Sequence, residues 1–406
     1  MRAERGTETE AEAAGSGGGT SRARPAGPAV TALLTSAMAF SMMQLFLLGA
    51  LGPRLVDEWG ISRTALGLTT TAGFGAAALL SPVAGRLVDR VGPRRCLVAL
   101  LLLAAVSLAL IGAAPGAAVL LVAVTLGGLP QALANPATNK VILAAVPPER
   151  RGAVTGLKQS GVQVGAFAAG LPLSLLAAGV GWRGAVWTAA GTAAVAAAWA
   201  ARMLPYDAAA ETPGARRTPA AQGATRRLAV FSLLLGCGIA SVNTYLALFG
   251  SQRLGLGPTT AAALVAVLGV AGMAGRVGWS RVAGRPGRAP ALLAAGAVGA
   301  AVLLAAAEPV PWLVWVGALA IGSFAVAANA VSMVLVMRRA APGRAGQDSA
   351  LVSAGFFAGF AVGPPLFGAL ASATGYGPGW LLVAAEFAAA GTVAVPLMSG
   401  RRGATR

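Results

Sequence analysis

Apolar residues run along this chain in long blocks, and polar residues gather between the blocks. Cys96 to Asn139 contains no charged residue, and neither does Ala289 to Ala307. A membrane-crossing helix needs roughly 20 apolar residues, so the first of these stretches has room for two. The pattern predicts twelve spans, at 29–51, 64–84, 96–114, 117–144, 153–177, 184–201, 228–250, 259–275, 289–307, 311–337, 349–372 and 378–398. Helix breakers stand at many joints. Gly52-Pro53 ends the first span, Ala114-Pro115-Gly116 separates the third from the fourth, Pro147-Pro148 follows the fourth, and Gly377-Pro378 opens the twelfth.

The polar remainder divides the chain. Residues 1–27, rich in Gly, Ala, Ser, Glu and Arg without periodicity, read as a disordered cytoplasmic tail, and 401–406 as a second short tail. Residues 202–227 read as a flexible cytoplasmic linker between a first six-helix half, 28–201, and a second, 228–400. Ala37-Met38-Ala39 resembles a signal-peptidase site, but apolarity continues to Leu51, so an uncleaved first helix is expected. The arginines test the span count. With the N-terminus inside, 25 fall on the inner side and only Arg54, Arg63, Arg183 and Arg253 on the outer. Basic residues accumulate in cytoplasmic loops, and a miscounted helix would invert every later loop. An even number of spans with both termini cytoplasmic follows.

Composition narrows the function. With 56% hydrophobic and 11% charged residues, the chain is neither an ordinary soluble domain nor a disordered one. Its net charge of +18 is scattered in small arginine groups rather than a continuous stripe. The better reading is an excess of basic residues in cytoplasmic loops, with attraction to the lipid bilayer surface a side effect, rather than nucleic-acid binding. There is no histidine, and Cys96 and Cys237 form no paired motif. No metal-ligand cluster or phosphate-binding Gly-Lys-Ser/Thr is visible, so no enzyme, cofactor or metal site is expected.

The halves repeat faintly. A gapless offset of 194 aligns Gly128 with Gly322, Asn135 with Asn329, Pro148 with Pro342, Gly161 with Gly355 and Gly165 with Gly359. The Asn pair weighs most, because the chain has only four Asn: Asn135, Asn139, Asn243 and Asn329. Parallel duplicated halves are one design of secondary transporters.

After the second span comes Gly85-Arg86-Leu87-Val88-Asp89-Arg90-Val91-Gly92-Pro93-Arg94-Arg95. Gly85 and Gly92 permit a tight turn, and Asp89 is a lone acid needing an arginine or a helix N-terminus as partner. This loop resembles the signature loop of the major facilitator superfamily, with Gly85, Asp89, Arg90, Gly92 and Arg94 or Arg95 in place. A degenerate second copy starts at Gly275-Arg276, with Trp279 at the acid's place. The resemblance covers roughly residues 29 to 400. It implies an all-α fold of two pseudo-symmetric six-helix halves, and a conformational latch in which Asp89 docks near Gly346 to Ser349. The segment Pro148 to Gly152, followed by Lys158-Gln159-Ser160-Gly161, resembles the superfamily's loop between helices four and five, in a form reminiscent of its cyanate-permease-like branch. Antiporters of the superfamily carry a Gly-Pro in this helix; Gly170-Leu171-Pro172 departs from that and weakens a drug-exporter reading.

Polar residues inside spans are the candidate substrate contacts. Gln131, Asn135 and Asn139 form a stripe on the fourth helix, and Asn329 echoes it on the tenth. Gln159 and Gln163 share one face of the fifth, opposite Gly161 and Gly165. Gln44 lies on the first helix, Asn243 and Tyr245 on the seventh. The resemblance implies that helices one, four, seven and ten line the cavity; the other reading of these side chains is interhelical hydrogen bonding. Lys140 reads as a snorkelling lysine. Lys158, and Glu386 on the twelfth helix, are the candidates for an anion or coupling site. The reading is a monomeric secondary transporter in the cell membrane, taking up a small anion by alternating access, with a coupling ion in question. The rivals are proton-coupled efflux of hydrophobic compounds and a non-transporting membrane sensor or scaffold.

Overall fold

The computed structural model describes residues 27–206, 223–282, 288–339 and 345–397. The two expected tails, Gly27 aside, and residues 207–222 of the expected linker lie outside the described residues. The described part of the first half holds α1 (Pro28–Trp59), α2 (Arg63–Val91), α3 (Pro93–Ala113), α4 (Ala117–Leu126), α5 (Gly128–Ala145), α6 (Pro148–Gly170) and α7 (Pro172–Met203). The second holds α8 (Gly223–Leu254), α9 (Pro258–Val282), α10 (Ala289–Ala305), α11 (Leu313–Ile321), a π-helical turn (Gly322–Val326), α12 (Ala327–Arg339), α13 (Ala345–Thr374) and α14 (Tyr376–Ala394). The described residues contain no strand. Ten of these helical segments are long and apolar enough to cross a membrane. Two expected spans are not among them: α10 has only 17 residues, and α6 is too polar along its length, with Lys158, Gln159 and Gln163 in its middle turns.

Several expected spans are interrupted, each for a local reason. Pro172 has no N–H to give the preceding turn, and Leu171 leaves the helix at φ −124°, ψ −71°, so the fifth span is split between α6 and the start of α7. Gly181, at φ 79°, then turns the chain inside α7, and the sixth span follows. The fourth span breaks at Gly127, and the tenth widens into the π turn at Gly322. α8 begins at Gly223, inside the expected linker.

Glycines set the packing. A Cβ on Gly161 would run into the carbonyl of Thr35, and one on Gly165 would press on that of Ala39. The second half makes the same two contacts, Gly355 on Ala229 and Gly359 on Leu233. Every residue in the first pair of contacts lies 194 positions before its counterpart, so the offset read from the sequence is the geometry of the duplication. Small residues let helix backbones approach closely in lipid, where no hydrophobic force drives them together. The halves meet where Gly49 abuts the Asn243 carbonyl. Those two residues are also 194 apart, which places the axis relating the halves between them.

Two symmetry-related seams, α6 with α9 and α2 with α13, join the halves beside that α1–α8 contact. The bundle is tied at the end where α1, α8 and α13 finish. Arg63 donates to the Ala371 carbonyl (2.7 Å) and Gln252 Oε1 (3.3 Å). The Tyr245 hydroxyl is shared between the carbonyls of Arg63 (2.6 Å) and Pro364 (2.9 Å). Thr71 donates to the Ala361 carbonyl (2.6 Å), and the hydroxyls of Thr70 and Thr244 are 3.2 Å apart. Around the outside, Leu79, Val122, Val195 and Leu292 are each more than 60% exposed. Apolar side chains so placed around an all-helical bundle fit a lipid surround.

Candidate functional site

A central cavity with about 800 Å³ of empty volume, its open mouth included, lies between the halves. From the first half, Gln131 and Asn135 of α5 and Gln159 and Gln163 of α6 line it. From the second come Asn243 of α8, Arg276 of α9 and Asn329 of α12. Apolar lining comes chiefly from Met38, Met42 and Phe46 of α1 and from Phe356, Phe357 and Phe360 of α13. No carboxylate is among the lining residues.

Polar groups converge here without being satisfied. Both amide atoms of Gln131, Oε1 of Gln159 and of Gln163, Oδ1 of Asn243 and of Asn329, and Nε of Arg276 are buried with no hydrogen-bond partner among the described residues. Buried polar atoms are nearly always paired, because an unpaired one costs about 1–3 kcal/mol. A group of them aimed at one space is what a polar ligand or its water would complete.

Arg276 is the residue that sequence reasoning missed. The predicted eighth span stopped at 275, so the arginine was assigned to an inner loop as part of the degenerate second signature. α9 instead continues to Val282 and carries its guanidinium to the cavity wall. Its Nη1 donates across the α6·α9 seam to the Gln159 carbonyl (3.2 Å). The phenylalanine triplet of α13 was also overlooked; its signal was the spacing 356, 357, 360 on a helix outside the four expected to line the cavity.

Lys158 stands behind the wall rather than in it. It is 1% exposed. Its ammonium donates to Thr138 Oγ1 (2.6 Å), Asn139 Oδ1 (2.6 Å) and, at the limit, Asn135 Oδ1 (3.5 Å). An ammonium has three protons, and these three acceptors engage them, but all three are neutral. Asn135 thus stands between the Lys158 amine and the cavity. Asn139, expected beside Gln131 and Asn135, is turned away to serve Lys158.

The remaining candidates lie elsewhere. Gln44 donates to the Val124 carbonyl (3.2 Å) and accepts from Ser107 (3.1 Å), tying α1 to α4 and α3 in space left by Gly73 and Gly127. Tyr245 belongs to the tied end. Glu386 is buried on α14, outside the cavity lining. Lys140 reaches the Val88 carbonyl at the end of α2 (3.4 Å).

Of the expected latch, Gly92 forms the one-residue joint of α2 and α3 at φ 99°, a conformation that suits glycine. Gly85 has open space around it. Arg90 is exposed in the last turn of α2. Arg94 donates to the Ala201 carbonyl in the last turn of α7 (2.5 Å) and lies over the Tyr206 ring. Arg95 sits in the first turn of α3. The Asp89 side chain lies outside the described residues.

The family model described as Major Facilitator Superfamily matches residues 33–347. The chain belongs to the Major Facilitator Superfamily. Solved structures of the superfamily share its fold. The human organic anion transporter MFSD10 (TETRAN) aligns with TM-score 0.71 at 16% identity, over 91% of this chain and 100% of that one. A bacterial homologue of the human lysosomal transporter Spinster, in an inward-facing and occupied conformation, gives 0.69 at 15%, over 91% and 95%. A mutant of the nucleoside transporter NupG gives 0.69 at 13%, over 91% and 99%. No curated protein sequence matches the chain. Membership makes this an integral, multi-pass secondary transporter and not an enzyme.

Proposed function

We propose that this superfamily member takes up a small organic anion across the cell membrane by alternating access. The observation that carries the reading is Arg276: a guanidinium at the wall of a cavity lined by amides, with no carboxylate among the lining residues. A guanidinium is always charged and matches an oxyanion's geometry, so the site favours anions over cations and neutral solutes. The Lys158 charge behind Asn135 adds a field of the same sign. Proton-coupled efflux of hydrophobic compounds needs a titrating acid at the cavity, and Glu386 lies off it. The pattern reminiscent of the cyanate-permease-like branch also agrees with an anionic substrate. Twelve crossings are proposed, counting α10, and α6 together with the start of α7, with both termini cytoplasmic as the arginine distribution favours. The loop from Gly85 to Arg95 is proposed as the latch that holds one state of the cycle.

The test is uptake into proteoliposomes of radiolabelled carboxylates, amines and neutral solutes. Arg276→Gln should cut carboxylate uptake at least about tenfold, the effect of losing one charge-assisted hydrogen bond, and Arg276→Lys should keep part of it. Uptake of an amine or neutral solute that is indifferent to Arg276→Gln would overturn the reading.

A further inference from the structure

The duplication makes the two seams comparable residue by residue, and they have diverged into opposite chemistries. The offset of 194 pairs Gln163 with Phe357, Val162 with Phe356, and Ala166 with Phe360. It also pairs Leu268 of α9 with Phe74 of α2. The α6·α9 seam accordingly shows the cavity Gln159, Gln163 and Arg276. The α2·α13 seam shows it Phe356, Phe357 and Phe360, with Phe74 packed behind at ring-centroid distances of 4.6 Å from Phe360 and 5.9 Å from Phe357. The axis that exchanges the seams runs between Gly49 and Asn243, and Asn243 itself lines the cavity. The seams therefore face one another across the space. One wall carries a cation and unpaired amides, and the opposite wall carries aromatic rings.

We propose that the ligand is an aromatic monoanion. Its single carboxylate-like group is held by Arg276 and the amides of the α6·α9 seam, and its arene lodges among Phe356, Phe357 and Phe360. Arg276 is the one full charge in the lining, and one guanidinium answers one oxyanion. The protons of Lys158 are already engaged by Thr138, Asn139 and Asn135. Phenyl rings at a wall stack an arene in offset or edge-on geometry, which adds to the benefit of removing it from water. This rests on the anion-carrier reading above and adds the class of anion.

The test uses the intact protein in proteoliposomes and three probes: phenylacetate, acetate and 2-phenylethanol. Phenylacetate should bind at least about tenfold tighter than either of the others, equivalent to about 1.4 kcal/mol. Phe357→Gln installs the amide found at the equivalent point of the other seam, and should lower the phenylacetate-to-acetate affinity ratio about tenfold. Phe357→Leu keeps apolar bulk in case the glutamine variant does not fold, and should lower the ratio about threefold. Acetate binding as tightly as phenylacetate overturns the proposal and leaves the anion reading standing. If 2-phenylethanol matches phenylacetate, or neither anion binds, both fall. A ratio unchanged in the folded variants removes the arene from the α13 wall and overturns the proposal.

Discussion

Arg63 is the most heavily bonded residue where the halves are tied, and its removal has a calculable consequence. From the start of α2 it donates to the Ala371 carbonyl at 2.7 Å, in the last turn of α13, and to Gln252 at 3.3 Å; its guanidinium also lies 4.5 Å from the centre of the Tyr376 ring. All three partners belong to the other half. A hydrogen bond from a charged donor contributes about 1.5–3 kcal/mol, and the half-buried setting argues for the low end. The ring contact adds about 0.5 kcal/mol at such a site. Arg63→Ala should therefore weaken this closure by about 2 kcal/mol. At 1.4 kcal/mol per tenfold, the ratio of molecules open at this end to molecules closed there rises about thirtyfold. Both native cysteines are buried, so spin labels at Asp57→Cys, in the last turn of α1, and Thr374→Cys, at the end of α13, report the separation across the tie. Pulsed dipolar spectroscopy should show a longer-distance population gaining over the short one in Arg63→Ala. Arg63→Lys, which keeps charge but not the planar fork, should lie between. An unchanged distance distribution in a folded Arg63→Ala protein would show that this arginine does not hold the halves together.

Lys158→Met removes the buried charge but keeps the chain length. Replacing an ammonium that lacks an anionic partner by an apolar group should leave the unfolding temperature in detergent unchanged or raised, while anion affinity falls on the order of tenfold as its field is lost. A drop in stability with affinity intact would make the lysine purely structural. Gly359→Ala drives a methyl into the Leu233 carbonyl where α8 and α13 touch, and should cost about 2 kcal/mol or more, read as a lower unfolding temperature or loss of monodisperse protein. Gly156→Ala, on an exposed stretch of α6 with nothing near the added carbon, should instead stabilise the helix by about 0.5–1 kcal/mol, and equal effects at the two positions would refute the packing account.

The architecture was legible wherever the physics is local and repetitive. Long apolar blocks fix helices, and glycine at a fixed offset fixes where helices touch, so Gly161 and Gly355 could be paired before any contact was known. The cavity was legible in part. Gln131 and Asn135, one turn apart, keep to one face, but eight residues at about 100° each bring Asn139 round by about 80°, and that rotation hands it to Lys158. Gln44 and Tyr245 looked like cavity residues because a polar side chain in an apolar span announces a partner without saying which. Their partners are the carbonyls of Val124, Arg63 and Pro364, and backbone acceptors leave no mark in a sequence. Arg276 was hidden by a span boundary drawn one residue short, because a charged residue at the end of an apolar run reads as its stop signal whether it turns to water or to a ligand. The aromatic wall was hidden by its neighbours: among so many apolar positions, nothing local separates a phenylalanine facing the cavity from one facing another helix.

Among the described residues, no carboxylate takes part in the bonds that tie α2 to α8 and α13. Their acceptors are the backbone oxygens of Ala371, Ala361, Pro364 and Arg63, the amide of Gln252, and hydroxyls. Acid applied from that side strips none of these partners, so these bonds keep in a sour medium the strength they have in a neutral one. Any influence of acidity on the working cycle then enters through other groups.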